Sequence, residues 1–191
     1  MEFLEQLDRN LLVLINGCHS PFFDFVWSEI SKTRTGAPLY AVIIYYLFRN
    51  NSFSRGLYLF VALIVCVALA DIASVHLFKN VVERYRPSHN LEIQEMLHFV
   101  NGYKGGLYGF VSSHAANLFA FATFVSLIVR NKPLIIISFV WAFLGVYSRM
   151  YLGVHYPSDI IAGALLGAAI SYFICGVILK NGMRTTEMQK M

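Results

Sequence analysis

The chain has 191 residues, of which 57% are hydrophobic and only 14% charged, with a net charge of +4. A soluble domain carries about a quarter charged residues; a chain this short cannot hide so much apolar surface in a core, and disorder is excluded by the same numbers. The 15 Lys and Arg lie scattered between apolar runs rather than in a patch, which argues against a nucleic-acid partner and leaves an integral membrane protein.

Residues 1–191 are read as a single transmembrane domain. The N-terminus carries Glu2, Glu5 and Asp8 against Arg9 alone, so it lacks the basic start of a cleavable signal peptide. Residues 1–20 are read as an uncleaved amphipathic segment. The runs 11–15 and 22–30 are broken by Gly17, Pro21, Asp24 and Glu29. They form either one irregular span or an interfacial helix followed by a short buried one. Residues 35–48 are short and aromatic-rich, and 56–78 are apolar except for Asp71 and His76. A long connection, 79–111, follows with Pro87, Asn101, Gly102, Gly105 and Gly106; in compact domains such connections are usually functional. Two uncharged runs come next, 115–129 and 133–148. Residues 160–179 carry no charge and match the ~20 residues a span requires. Gly163 and Gly167 within them have the GxxxG spacing that lets another helix approach closely. The sum is an all-α, six-helix transmembrane bundle with a tail at 180–191. Cys18, Cys66 and Cys175 form no CxxC pair, which disfavours a disulfide framework or a zinc site.

If the helices alternate, residues 49–55, 130–132 and the tail share one side, and the long connection lies on the other. Basic residues nearly balance between the sides until Lys79, Arg86 and Arg149 are set aside for chemistry. The excess then falls with the tail, which the positive-inside rule places in the cytoplasm. The loop 88–111 then faces outward, to the periplasm or exterior.

On that outer face the short connections bring several helix ends together. Lys79 closes one helix, with Arg86 seven residues on; Ser112, Ser113 and His114 open the next; Arg149 ends the fifth; His155 and Asp159 open the last. Each cation held near hydrocarbon costs roughly 2.5–3.5 kcal/mol on insertion scales, and an anion among the three offsets it. Arg supplies a planar fork and Lys a point charge for phosphate. A helix start at 112–114 adds backbone N–H donors. His155 and Asp159, four apart, share a helix face. A carboxylate on one ring nitrogen fixes the tautomer and leaves the other nitrogen free to attack, while His114 can protonate a leaving oxygen. No clustered carboxylates stand ready for two metals, and neither a Walker A pattern nor GxGxxG is present.

Three segments carry a resemblance: Lys79-x6-Arg86-Pro87, Val111-Ser112-Ser113-His114, and Ser148-Arg149-x5-His155-x3-Asp159. Together they resemble the three-part signature of the type 2 phosphatidic acid phosphatase family over about residues 20–180. The middle part departs, with Val111 and Ser113 where the family has Pro and Gly, so its turn has to form without glycine. The resemblance implies a six-helix membrane fold and a metal- and cofactor-independent lipid phosphatase. His155 would form a phosphohistidine, Asp159 would orient it and His114 would protonate the leaving group. Lys79, Arg86, Ser112, Ser113 and Arg149 would hold the phosphoryl oxygens. The substrates implied are undecaprenyl diphosphate, phosphatidylglycerophosphate, phosphatidic acid or a lipid A phosphate, and the loop from Ser88 to Val111 is expected to choose among them.

His19, His76, His89 and His98 match no motif and are read as structural. Asp71 is expected to face the bundle interior with a buried hydrogen-bond partner. Glu83 and Arg84 read as solvated charges, with Glu83 within reach of Lys79. Trp27, Tyr45, Tyr46 and Trp141 read as interfacial or packing aromatics. The competing function is an anion-binding transporter or channel without catalysis; it has use for the cations but none for the histidine pair.

Overall fold

The computed structural model describes residues 2–188; Met1 and residues 189–191, the end of the expected tail, lie outside the described residues. Among the described residues there is no strand, only an isolated antiparallel bridge between Tyr85 and Tyr108. The helices are α1 (Glu2–Gly17), α2 (Pro21–Ile30), α3 (Ala37–Arg49), α4 (Phe53–Ala73), α5 (Asn80–Val82), α6 (Ser113–Phe124), α7 (Lys132–Tyr151) and α8 (Pro157–Met188). A π turn, Ser74–Lys79, joins α4 to α5, and another, Val125–Val129, extends α6.

Three segments are long and apolar enough to cross a membrane: Phe53–Val82, Lys132–Tyr151 and Pro157–Lys180. Their outer faces bear Ile64, Ile136, Val140, Phe143, Leu165 and Phe173, all exposed, a shell that only a bilayer covers. The first segment has 30 residues. At 1.5 Å per residue it is about 45 Å long, against a hydrocarbon core of about 30 Å. Part of it therefore extends beyond hydrocarbon unless it tilts, and Lys79 lies in its last turn. Glu83 then ends the helix in the left-handed region, at φ 49°.

The centre of the bundle is α6, packed against α8, α4 and α7. It sits this close because it is lined with alanine: Ala115, Ala116, Ala120 and Ala122 are fully buried. On α8 the facing positions are Gly163 and Gly167. A Cβ on Gly163 would stand 2.4 Å from the Ser112 carbonyl oxygen, and one on Gly167 1.9 Å from that of Ala116. The GxxxG spacing thus does what it predicts, and it fixes the start of α6 against the start of α8.

The N-terminal segment is two helices broken at Ser20–Pro21, with the Ser20 hydroxyl capping α2. Asp8 accepts the Ser158 N–H at the start of α8 (2.9 Å). Two turns on, Asn16 donates to the Tyr151 carbonyl at the end of α7 (2.7 Å) and to that of His98 (2.8 Å). The end of α7 and the start of α8 are joined by a short turn. Both halves of α1 therefore touch one end of the bundle, and α1 lies across that face. Its Leu12 is buried with Ile93, Leu97 and Tyr156.

Candidate active site

His155 sits in the turn between α7 and α8, where Gly153 adopts φ 69° to reverse the chain. The imidazole is 2% exposed. Arg86 Nη1 lies 2.9 Å from its Nε2. A guanidinium has only donors, so Nε2 accepts and the proton of the neutral ring resides on Nδ1. Nδ1 points at Asp159 Oδ2, 3.4 Å away. Asp159, fully buried, stands in the first turn of α8 and takes the Tyr156 N–H on the same oxygen (3.0 Å), the reach-back of a helix cap. Burial first, then the charges of Arg86, Arg149, Lys79 and His114, hold the His155 pKa well below its usual 6.5. The unprotonated nitrogen faces the cations.

Each cation is anchored from the side. Lys79 Nζ donates to the Ser113 hydroxyl, which also accepts from Ser74 Oγ (2.6 Å). Arg86 donates to the carbonyls of Tyr108 and Val154, 3.2 Å each, and its own N–H goes to Leu107 O (3.0 Å). Arg149, at the end of α7, donates to Ser31 Oγ and to the Tyr103 hydroxyl (2.9 Å), while its buried Nε has no partner among the described residues. Burial, then the charge of Arg149, lower the Arg86 pKa from its ordinary value. That mutual repulsion is relieved by an anion. The long connection thus holds two of the cations, through Tyr103, Leu107 and Tyr108.

Ser112 caps α6 and is fully buried: its hydroxyl accepts from Ala115 N, and its N–H donates to the Asp159 carbonyl (3.0 Å). Ser113 is the first residue of α6 and is not among the positive-φ residues. The turn therefore forms without glycine, and the side chain that replaces it grips Lys79. His114 is half-buried and directed at Gly145, where a Cβ would stand 3.5 Å from Nε2. Beside it opens an apolar cavity of about 420 Å³ between α3, α4, α6 and α7, lined by Tyr40, Phe60, Phe121 and Trp141, with Lys32 and Asn117 among its few polar groups.

Two expectations change. Arg84 is no solvated charge: it bonds Asp159 Oδ1 and Asp8 Oδ2, both at 2.8 Å, and its guanidinium lies 4.1 Å over the Tyr156 ring. Burial opposes its charge, yet Asp159 and Asp8 raise its pKa above the ordinary value. Asp71 is exposed rather than buried, and accepts from Asn117 Nδ2 (2.9 Å). Of the histidines outside the motifs, His98 pairs with Asp24 (2.9 Å) and stacks on His19.

A helical membrane bundle whose cations and histidines converge at helix ends defines a class of membrane enzymes acting on phosphate groups. The chain belongs to the PAP2 superfamily, which matches residues 55–183. It is 39% identical over 178 residues to the lipid A 4'-phosphatase of Bacteroides thetaiotaomicron, covering 91% of this chain and 79% of that protein. It is 34% identical over 184 residues to that of Porphyromonas gingivalis, covering 94% and 76%. In structure it is similar to the first transmembrane PAP2 type phosphatidylglycerolphosphate phosphatase from Bacillus subtilis, with a TM-score of 0.69 and 21% identity over 94% of this chain and 88% of that one.

Proposed function

We propose that the chain removes a phosphate from a lipid phosphomonoester of the lipid A type at the outer face of the inner membrane, through a phosphohistidine. Phosphatase activity itself is supported by the names of its relatives. The observation that carries the finer reading is the meeting of His155, Asp159 and three anchored cations beside an apolar cavity lined by His114. The cavity suits an acyl chain lying between helices while its phosphate reaches the cations.

The chemistry follows from the positions. Lys79, Arg86, Arg149 and the N–H groups at the start of α6 hold the phosphoryl oxygens. As the phosphate draws the Arg86 guanidinium to itself, Nε2 of His155 is released to attack phosphorus. The P–O bond to the lipid breaks, His114 protonates the departing oxygen, and Asp159 holds the imidazolium-like ring. Water, deprotonated by His114, then displaces His155, giving inorganic phosphate and the starting enzyme. These steps are written without a metal, the cations taking the charge of the phosphoryl oxygens.

The reading assigns five crossings, α3, α4, α6, α7 and α8, in place of the expected six, because α1 lies on the site face. The opposite end carries Arg49, Arg55, Arg130 and Lys132, which supports a cytoplasmic position for it under the positive-inside rule. Phosphate release in detergent with EDTA, from a panel of lipid monophosphates and diphosphates, tests the function. Release from a lipid A phosphate that vanishes in His155→Ala is expected. Release retained in that variant, or dependent on added magnesium, overturns the mechanism; preference for a diphosphate overturns the substrate.

A further inference from the structure

We infer that Asp8 and Arg84 are positioning residues for the His155–Asp159 pair, so that α1 is part of the catalytic apparatus. The inference rests on the phosphatase reading above. The residues form one chain: Asp8 Oδ2 bonds Arg84 Nη2 (2.8 Å), Arg84 Nη1 bonds Asp159 Oδ1 (2.8 Å), and Asp159 Oδ2 faces His155 Nδ1 (3.4 Å). Ser158 locks the joint. Its hydroxyl accepts from Arg84 Nη1 (2.7 Å) and bonds Asp8, and its N–H goes to Asp8 Oδ1 (2.9 Å).

The Asp159 carboxylate is fully buried. Its two oxygens have different duties: one accepts the imidazole N–H and the Tyr156 N–H, and the other is taken by Arg84. Remove Arg84 and that second oxygen loses its partner in a place closed to water. The carboxylate then turns toward Arg86 or takes up a proton, and in either state it no longer holds the imidazole through its Nδ1–H. Asp8 acts one step further back. Arg84 is a planar fork, so fixing Nη2 on Asp8 fixes the direction of Nη1 toward Asp159. The stack on Tyr156 holds the plane. A solvated charge would need neither fork partner.

The test uses the full chain in detergent, with Arg84→Met, Arg84→Lys and Asp8→Asn. Asn keeps an acceptor for the Ser158 N–H and replaces the oxygen that takes Arg84 Nη2 with an amide donor, so the fork loses its second partner. Arg84→Met is expected to lower kcat roughly 10–100-fold, the loss typical of outer-shell partners, with KM nearly unchanged. Arg84→Lys and Asp8→Asn show smaller losses of the same kind. In parallel, ¹⁵N-histidine spectra of His155 without substrate report its Nδ1–H hydrogen bond to Asp159; Arg86 on Nε2 keeps the proton on Nδ1, and the Nδ1 resonance is expected to move toward that of an unbonded N–H in the same order. Unchanged kcat and Nδ1 resonance in folded variants overturn the inference, as does a loss confined to KM, which would make Arg84 a substrate-binding group. If Arg84→Met does not fold, the Lys and Asn variants decide. Wild type that releases no phosphate from any lipid sinks the proposed function instead, and the spectra still judge the positioning role.

Discussion

At the scale of single residues, the proposed mechanism needs His155 unprotonated, and its surroundings keep it so. Because its pKa in the folded protein lies well below 6.5, acid protonates the nucleophile only far below the usual imidazole range. The acid limb of kcat/KM, which reports the free enzyme, is therefore expected well under pH 6.5; a limb at or above that value removes His155 as the attacking base. The sign for stability is the same. The unfolded chain takes up a proton near 6.5 that the folded chain refuses, so folding weakens as pH falls below that value. On the proposed mechanism His114→Ala removes the proton donor for an alkoxide leaving group, and a loss of roughly 10²–10⁴-fold in kcat is expected. That loss should shrink for a substrate with an acidic phenol as leaving group. The motif residues were legible because their spacing is local and their chemistry specific. Arg84 was not. Its partners Asp159 and Asp8 lie 75 and 76 residues away, and nothing beside it in the chain separates a buried ion pair from a solvated one.

At the scale of elements, the seam between α6 and α8 sets the geometry of the site. Its two glycines face the carbonyls of Ser112 and Ala116, and Ser112 is the residue that binds the start of α8. Gly167→Ala puts a methyl into the Ala116 backbone and is expected to cost about 1–3 kcal/mol, seen as a lower Tm in detergent, with activity falling as the two helix starts separate. Gly176→Ala, at a position with nothing within 4 Å, is the matched control and should leave Tm unchanged or higher. The seam could be read from the sequence because small residues four apart on an apolar helix have one common use. The lie of α1 could not. An amphipathic helix of 16 residues has the length of a short span and the polarity of an interfacial one. What decides is where Asp8 and Asn16 find partners, on α8 and α7. Likewise the apolar run ends at Phe78, whereas the helix continues to Val82, since helicity needs backbone partners rather than apolar side chains.

At the scale of the whole molecule, orientation is testable with a residue the chain already has. Cys18 is exposed between α1 and α2, on the site face, while Cys66 and Cys175 are buried. A membrane-impermeant maleimide added to spheroplasts is expected to label Cys18, with Cys18→Ser as the blank. Labelling only after permeabilisation would put the site in the cytoplasm. The apolar runs and short connections made the helical bundle legible from the sequence; the cavity was not, because its lining comes from α3, α4, α6 and α7 together.

That cavity also decides how the enzyme meets its substrate. On the proposed reading, a cavity lined by four helices receives molecules already dissolved in the bilayer, so encounter is diffusion in two dimensions. The rate is then governed by the mole fraction of substrate in the membrane or micelle, not by its amount per volume. Adding inert detergent at constant substrate should slow turnover by surface dilution, while concentrating the whole mixture should leave it nearly unchanged.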